Sequence, residues 1–250
     1  MSLPLIVSLD EVLLQAETSP PQKVLFYGEG AGEISSYMAG WMTSKGVDVI
    51  VLDGANGFNP YRVSSLARKV WIPPESLLRR IRIARAFTCY QMAALMEERL
   101  TSLLKQKPEI AQPRVVILGP TTPFLDEDVS EREVRPLFER SLRKMEEMAS
   151  GGTPFFLFQP VLSGSPPFAR GGHRQDYDIR RVKGCVGSKR PYFMKRLFQF
   201  SNLIWKIRMN EEEPKMILEK GFNQNGRPRI ENRKKNNRFE MTTRIAKEDM

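Results

Sequence analysis

Directly after its first strongly apolar run, Lys23-Val-Leu-Phe-Tyr27, the chain carries three alternating glycines, Gly28, Gly30 and Gly32, ahead of a helical pattern. At such a junction backbone amides and a helix N-terminus can close around a phosphate, so the spacing points to nucleotide chemistry. A phosphate loop of the GxxxxGK[ST] kind also needs a lysine for the β/γ-phosphates and a hydroxyl for Mg²⁺. Here Gly32-Glu33-Ile34 occupies that place, in a loop one residue short. A carboxylate repels a triphosphate and an isoleucine holds no magnesium. A tight strand-to-helix turn without ligand therefore stands beside the nucleotide reading.

A second group with chemical potential lies at residues 170–196. It holds nine lysines and arginines against Asp176 and Asp178, with Tyr177, Tyr192 and Phe193 interleaved. Cations neutralise phosphates and aromatic rings stack on bases, which is the composition of a single-strand nucleic-acid site. The candidate contacts are Arg170, Arg174, Arg180, Arg181, Lys183, Lys189, Arg190 and Lys195; the bland alternative is a solvated loop. His173, the one histidine, sits in this polar stretch and reads as a surface or phosphate-contacting side chain. Two cysteines, Cys89 and Cys185, are too few for a disulfide framework or a four-ligand zinc site. No catalytic residue and no metal ligand set is assigned, and Cys89 reads as buried and inert.

The elements that must position these residues are legible in the apolar pattern. Runs at residues 23–27, 48–52, 114–118 and 154–158 are short, continuous and closed by Gly, Pro or Asp, as strands buried on both faces are. Helical patterns at 35–44, 90–105 and 131–150 lie between them, so the expectation is an α/β protein with a mostly parallel central sheet and helices on both faces. Arg80 to Phe87 alternates basic with apolar residues, as a strand with one wet face does. Residues 160–190 show no period and read as a long basic loop. A helix at 192–200 and strands at 203–209 and 215–220 follow, the pair forming a C-terminal antiparallel hairpin at the sheet edge. The expected organisation is an N-terminal segment 1–20, a core 21–220, and a basic, disordered tail 221–250.

The 250 residues carry a formal charge of +10, and its distribution is uneven. Residues 1–164 hold 18 lysines and arginines against 19 acids, whereas residues 165–250 hold 21 against 10. With 14 Phe and 3 Trp the chain is too rich in large apolar residues for a mainly disordered protein. No stretch reads as a signal peptide or a membrane span, so the expectation is a cytoplasmic protein without membrane partners.

The segment Leu52-Asp-Gly-Ala-Asn-Gly-Phe-Asn-Pro-Tyr-Arg62 resembles the strand-end segment of RecA/RadA-type recombinases, hydrophobic-Asp-Thr-Glu-Gly-Thr-Phe-Arg-Pro-Glu-Arg. Asp53, Phe58, Pro60 and Arg62 keep that pattern, and the family's catalytic glutamate falls on Ala55. Arg82-Ile-Ala-Arg-Ala-Phe-Thr-Cys-Tyr-Gln-Met92 is similar to the family's Ile-Ala-Arg-Ala-Tyr segment, which leads to His-Gln-Met. Val115-Val-Ile-Leu-Gly119 resembles the Walker B strand, with Gly119 in place of its magnesium-linked Asp. Phe155-Phe-Leu-Phe-Gln-Pro-Val161 is similar to the strand ending in Asn-Gln-Val, which puts Gln159 on the family's γ-phosphate sensor ahead of its second DNA-binding loop.

The resemblance spans residues 20–220 and implies a RecA-like P-loop fold. It makes Gly28, Gly30, Gly32, Asp53 and Gln159 a vestigial nucleotide site. Four phosphate-handling groups are replaced, and each is commonly worth a thousandfold or more in phosphoryl transfer. The expectation is thus a pseudo-ATPase with no cofactor, ATP binding being the possible remnant. Its role would be that of an accessory protein of DNA recombination or repair, with single-stranded DNA and a RecA/RadA-type recombinase as partners, and nucleoid-associated when DNA-bound. Two alternatives remain at this point. One is a weak, atypical DNA-dependent ATPase in which Arg62 or a neighbour's arginine replaces the lysine. The other is a protein-interaction module without DNA contact.

Overall fold

The computed structural model describes residues 12, 23–105, 113–126, 128–160, 190–209, 214–222, 228–230 and 241–242. Its centre is one sheet. Strands β1 (Lys23–Gly28), β2 (Val49–Asp53), β3 (Ile81–Arg85), β4 (Arg114–Leu118), β5 (Phe155–Pro160) and β6 (Leu203–Met209) run parallel, in the order β3-β2-β4-β5-β1-β6. β7 (Pro214–Phe222) returns antiparallel to β6.

Alternate strand residues supply two cores because successive side chains leave opposite faces of the sheet. One face collects Phe26, Val51, Leu118, Phe158 and Trp205 under helices α1 (Ala31–Ser44), α2 (Pro60–Lys69) and α3 (Pro74–Leu78). Phe26 and Phe158 stack there, with ring centroids 4.8 Å apart. The other face collects Leu25, Leu52, Ile117 and Leu157 under the helical stretch from Cys89 to Lys105, α6 (Glu131–Ser150) and α7 (Arg190–Phe200). Sheet residues covered on both sides read as continuous apolar runs, which is why the inner strands were legible.

Local signals fix the helix starts. Asn59 caps α2 by accepting from Tyr61 N, with Pro60 in the first turn. Thr88 accepts from Gln91 N to cap α4 (Cys89–Ala94), while the Gln91 amide oxygen reaches back to Phe87 N at 2.8 Å. The expected continuous helix 90–105 contains a π turn at Leu95–Arg99 between α4 and α5 (Leu100–Lys105). In that turn Glu97 meets Arg140 Nε at 2.6 Å and Ser141 Oγ at 2.9 Å, tying the turn to α6.

Three expectations are revised. Residues 221–250 are not all tail: β7 runs on to Phe222, and β8 (Pro228–Ile230) and β9 (Met241–Thr242) both pair with it. The C-terminal hairpin is therefore not a free edge, since β7 has neighbours on both sides. Val12, in the segment ahead of the core, is helical and fully buried in it. The long basic loop lies outside the described residues from 161 to 189. Among the described residues no helix is long and apolar enough to cross a membrane.

Candidate functional site at the strand ends

The carboxyl ends of β1, β2, β4 and β5 are adjacent, and four loops leave the sheet there. Open parallel sheets bind ligands at such ends. At the end of β1, Gly28 has φ +134°, and a Cβ on it would lie 2.1 Å from the Ile207 carbonyl oxygen, so only glycine fits. Gly30 is the left-handed cap of α1, without a side-chain capping bond. Gly32 lies in the first turn, against the loop that follows β2: a Cβ there would be 3.3 Å from Gly57 O.

The hydroxyls and charges of this turn are already engaged. Ser35 Oγ and Ser36 Oγ both donate to Gly32 O, at 2.7 and 3.0 Å, and Ser36 Oγ also accepts from Asn59 N at 2.9 Å. Glu33 pairs with Arg62 at 3.0 Å, both side chains being about half exposed. A carboxylate suits the positive end of a helix, and here it also neutralises the nearby cation.

Asp53, fully buried at the end of β2, organises its own loop. Oδ1 accepts from Ala55 N and Gly57 N at 3.2 Å each, Oδ2 accepts from Phe58 N at 3.0 Å, and Arg85 Nε stands 3.6 Å away. Three amides and one guanidinium account for this carboxylate without a metal or a phosphate. Gln159, buried at the end of β5, is similarly occupied. Its Oε1 accepts from Thr121 N and Thr121 Oγ1 at 3.1 and 2.8 Å, and its Nε2 donates to Pro160 O at 3.1 Å.

Between them, Gly119 ends β4 at φ +65°. A Cβ on Gly119 would fall 2.6 Å from Ala55 Cβ, 2.8 Å from Ala55 N and 2.8 Å from Thr122 Oγ1. Gly54 N donates to Leu118 O at 2.8 Å, so the two loops are also joined through the backbone. The five sequence-chosen positions thus do come together on consecutive strand ends. The joints between them are Gly32 on Gly57, Ala55 on Gly119 and Thr121 on Gln159, and sequence reasoning did not identify Thr121.

The nucleic-acid candidates divide differently. Arg170, Arg174, Arg180, Arg181, Lys183 and Lys189 lie outside the described residues. Arg190 opens α7 and Lys195 is exposed on it. Arg196, of the same basic stretch, is not a free cation. It forks onto Glu139 of α6, Nε to Oε1 at 2.5 Å and Nη2 to Oε2 at 2.6 Å, and Tyr192 OH adds a bond to Oε1 at 2.7 Å. Arg196 holds the Glu139 carboxyl below the usual carboxylate range, with Tyr192 assisting against partial burial. A groove of about 480 Å³ opens beside this clamp, lined by Arg143, Glu146, Gln199 and Phe200 among others. Burial raises the Cys89 thiol above its ordinary value, so it is a poor nucleophile. Among the described residues no three His, Cys, Asp or Glu side chains gather as metal ligands would.

One concentration of charge escapes a count made over the first 164 residues. Residues 60–90 hold seven lysines and arginines against Glu75 alone, a net of +6 that acids elsewhere cancel. A count in short windows would find it.

No protein-family model matches this chain, and no curated protein matches it.

Proposed function

We propose that the chain is a RecA/RadA-type core that does not hydrolyse ATP and serves DNA recombination or repair as an accessory protein, binding DNA, a recombinase partner, or both. The observation that carries the reading is the contact between Ala55 and Gly119. These are the two positions at which the resemblance expects the catalytic glutamate and the magnesium-linked aspartate. A family-like acid at position 119 would sit in a left-handed backbone that side chains rarely adopt, and its Cβ would lack room against Ala55.

Other features point the same way. A parallel sheet with an antiparallel terminal strand pair is what the resemblance implies. The γ-phosphate sensor position, Gln159, has its amide committed to Thr121 and Pro160. Arg62, the candidate stand-in for the missing lysine, is neutralised by Glu33, which counts against the weak-ATPase alternative. The DNA half rests on the excess of 11 positive charges in residues 165–250.

The test pairs two measurements on the full chain. ATP turnover is expected at background, with or without single-stranded DNA. Labelled oligonucleotide is expected to bind with an affinity that falls steeply as salt rises, because binding releases condensed counterions. Turnover above background that disappears when Gly32 is made bulky would overturn the pseudo-ATPase reading. Absence of binding to any strand form would remove the DNA half.

A further inference from the structure

Helix α2 ends on a residue that its turn does not require. Ile72 N donates to Ala67 O at 2.9 Å and Trp71 N donates to Arg68 O at 3.3 Å, the bond pair of a Schellman turn. The left-handed position of such a turn is usually glycine, and here it is Trp71 at φ +58°. A bulky residue is strained in that backbone, and packing does not offset the strain, because the indole is 94% exposed. The other tryptophans behave differently: Trp41 packs half-buried against the core, and Trp205 is 1% exposed.

The surroundings of the ring are cationic. Arg68 and Lys69, in the last turn of α2, are exposed, and neither forms an ion pair or a side-chain hydrogen bond with a described residue. No acid lies between Pro60 and Pro74. The carbonyls of Leu66, Ala67 and Arg68 already accept from Val70, Ile72 and Trp71 N, so the two cations stand over a largely satisfied helix end. Tyr61, 81% exposed, precedes Arg68 by seven residues and therefore shares its face of α2.

We infer that Trp71, with Arg68 and Lys69, is a stacking contact for single-stranded nucleic acid, separate from the basic segment at 165–250. A base needs an open aromatic face on a firm backbone, and the Schellman turn followed by Pro73 and Pro74 supplies one. The phosphates beside that base need cations that no acid of the chain has taken. An apolar pocket on a partner protein calls instead for a collar that excludes water around the tryptophan, and a bilayer calls for a wider apolar face. Val70, 42% exposed, is the one large apolar side chain that stands exposed beside the ring in the chain. The inference does not rest on the charge excess of residues 165–250. An oligonucleotide held through that segment alone would support the proposed function and contradict this contact.

The test uses the full chain, an oligothymidylate, and vesicles of phosphatidylcholine with phosphatidylglycerol. Tryptophan emission of the unaltered chain is expected to be quenched as oligothymidylate is added, because stacking on a base quenches an indole, and Trp71→Gly is expected to lose that quenching. The same variant relieves the left-handed backbone, and is expected to bind about tenfold more weakly with its thermal stability intact. Its salt dependence is expected to be unchanged, since the ring carries no charge. Arg68→Gln with Lys69→Gln is expected to lower the slope of log affinity against log salt by about 1.4. Trp71→Phe keeps a ring and is expected to bind between the two. Should Trp71→Gly lose stability, the emission of the unaltered chain and the affinity of Trp71→Phe decide. Oligothymidylate bound without quenching, or bound equally by Trp71→Gly, overturns the inference and leaves the DNA reading standing; no binding at all overturns both. A blue shift of the emission on the vesicles, with oligothymidylate leaving it unchanged, overturns the inference in favour of a membrane surface.

Discussion

Ala55 and Gly119 close the strand ends of β2 and β4 against each other: a Cβ on Gly119 would lie 2.6 Å from that of Ala55, and Gly119 has φ +65°. Gly119→Asp therefore combines left-handed strain with overpacking, and is expected to cost about 2–4 kcal/mol. Urea denaturation checks the cost, and an ATP assay on whatever remains folded is expected to stay at background. Gly119→Ala is expected to be milder, and Ala55→Gly to recover part of its cost, with a coupling of about 1 kcal/mol in the double-mutant cycle.

Asp53 holds three backbone amides from full burial. Asp53→Ala leaves those amides and Arg85 without their acceptor and is expected to lose about 3–5 kcal/mol by denaturant midpoint. Asp53→Asn keeps one oxygen for two of the amides, so its loss is expected to be smaller. A destabilisation by Ala no greater than that by Asn would show that the turn does not depend on the carboxylate.

The Glu139–Arg196 pair gives an acid-side signature. Arg196 lowers the Glu139 pKa in the folded state, so the pair's contribution is fully present above the ordinary glutamate value of about 4.3. It is lost as pH falls through the depressed folded value. Stability measured from pH 6 downward is expected to fall less steeply in Glu139→Gln than in the unaltered chain. The exposed setting limits the pair to about 1 kcal/mol.

Tyr90 gives the alkaline counterpart. Its hydroxyl donates to Glu133, which pushes its pKa up to about 12. A raised folded pKa means a contribution present below the unfolded value of about 10 and lost as pH climbs through the folded one. Ultraviolet titration of tyrosinate is expected to show Tyr90 ionising late, alongside Tyr192, whose pKa burial and Glu139 also raise, and Glu133→Gln is expected to bring Tyr90 alone back toward the others.

Trp71 holds a left-handed backbone while almost wholly exposed. Glycine relieves a strain of about 1–2 kcal/mol and costs about 0.5–1 kcal/mol in chain entropy. Trp71→Gly is therefore expected to leave thermal stability unchanged or raised by ~0.5 kcal/mol. A clear loss would show that the indole packs within the fold.

The sequence by itself determined the inner strands and the longer helices such as α1 and α6, whereas α2 and α3 came only with the structure. Runs such as Val115-Val-Ile-Leu118 and the stripe Val134, Phe138, Leu142, Met145 are set by side-chain periodicity, which each segment carries locally. It also marked Gly28, Asp53 and Gln159 as strand-end residues. Tertiary structure alone decided what those residues touch. That Asp53 turns its carboxylate onto its own loop, that Gln159 is taken up by Thr121, and that Ala55 fills the space beside Gly119 depend on strands far apart in the chain becoming neighbours. The pairing of β8 and β9 with β7 was likewise hidden, because short polar strands bury little and carry weak periodicity. The outer place of β3 among the described strands was hidden for a related reason. Its alternating Arg80-to-Phe87 pattern says that one face is wet, but not that β3 is outermost, which only the order of the strands supplies.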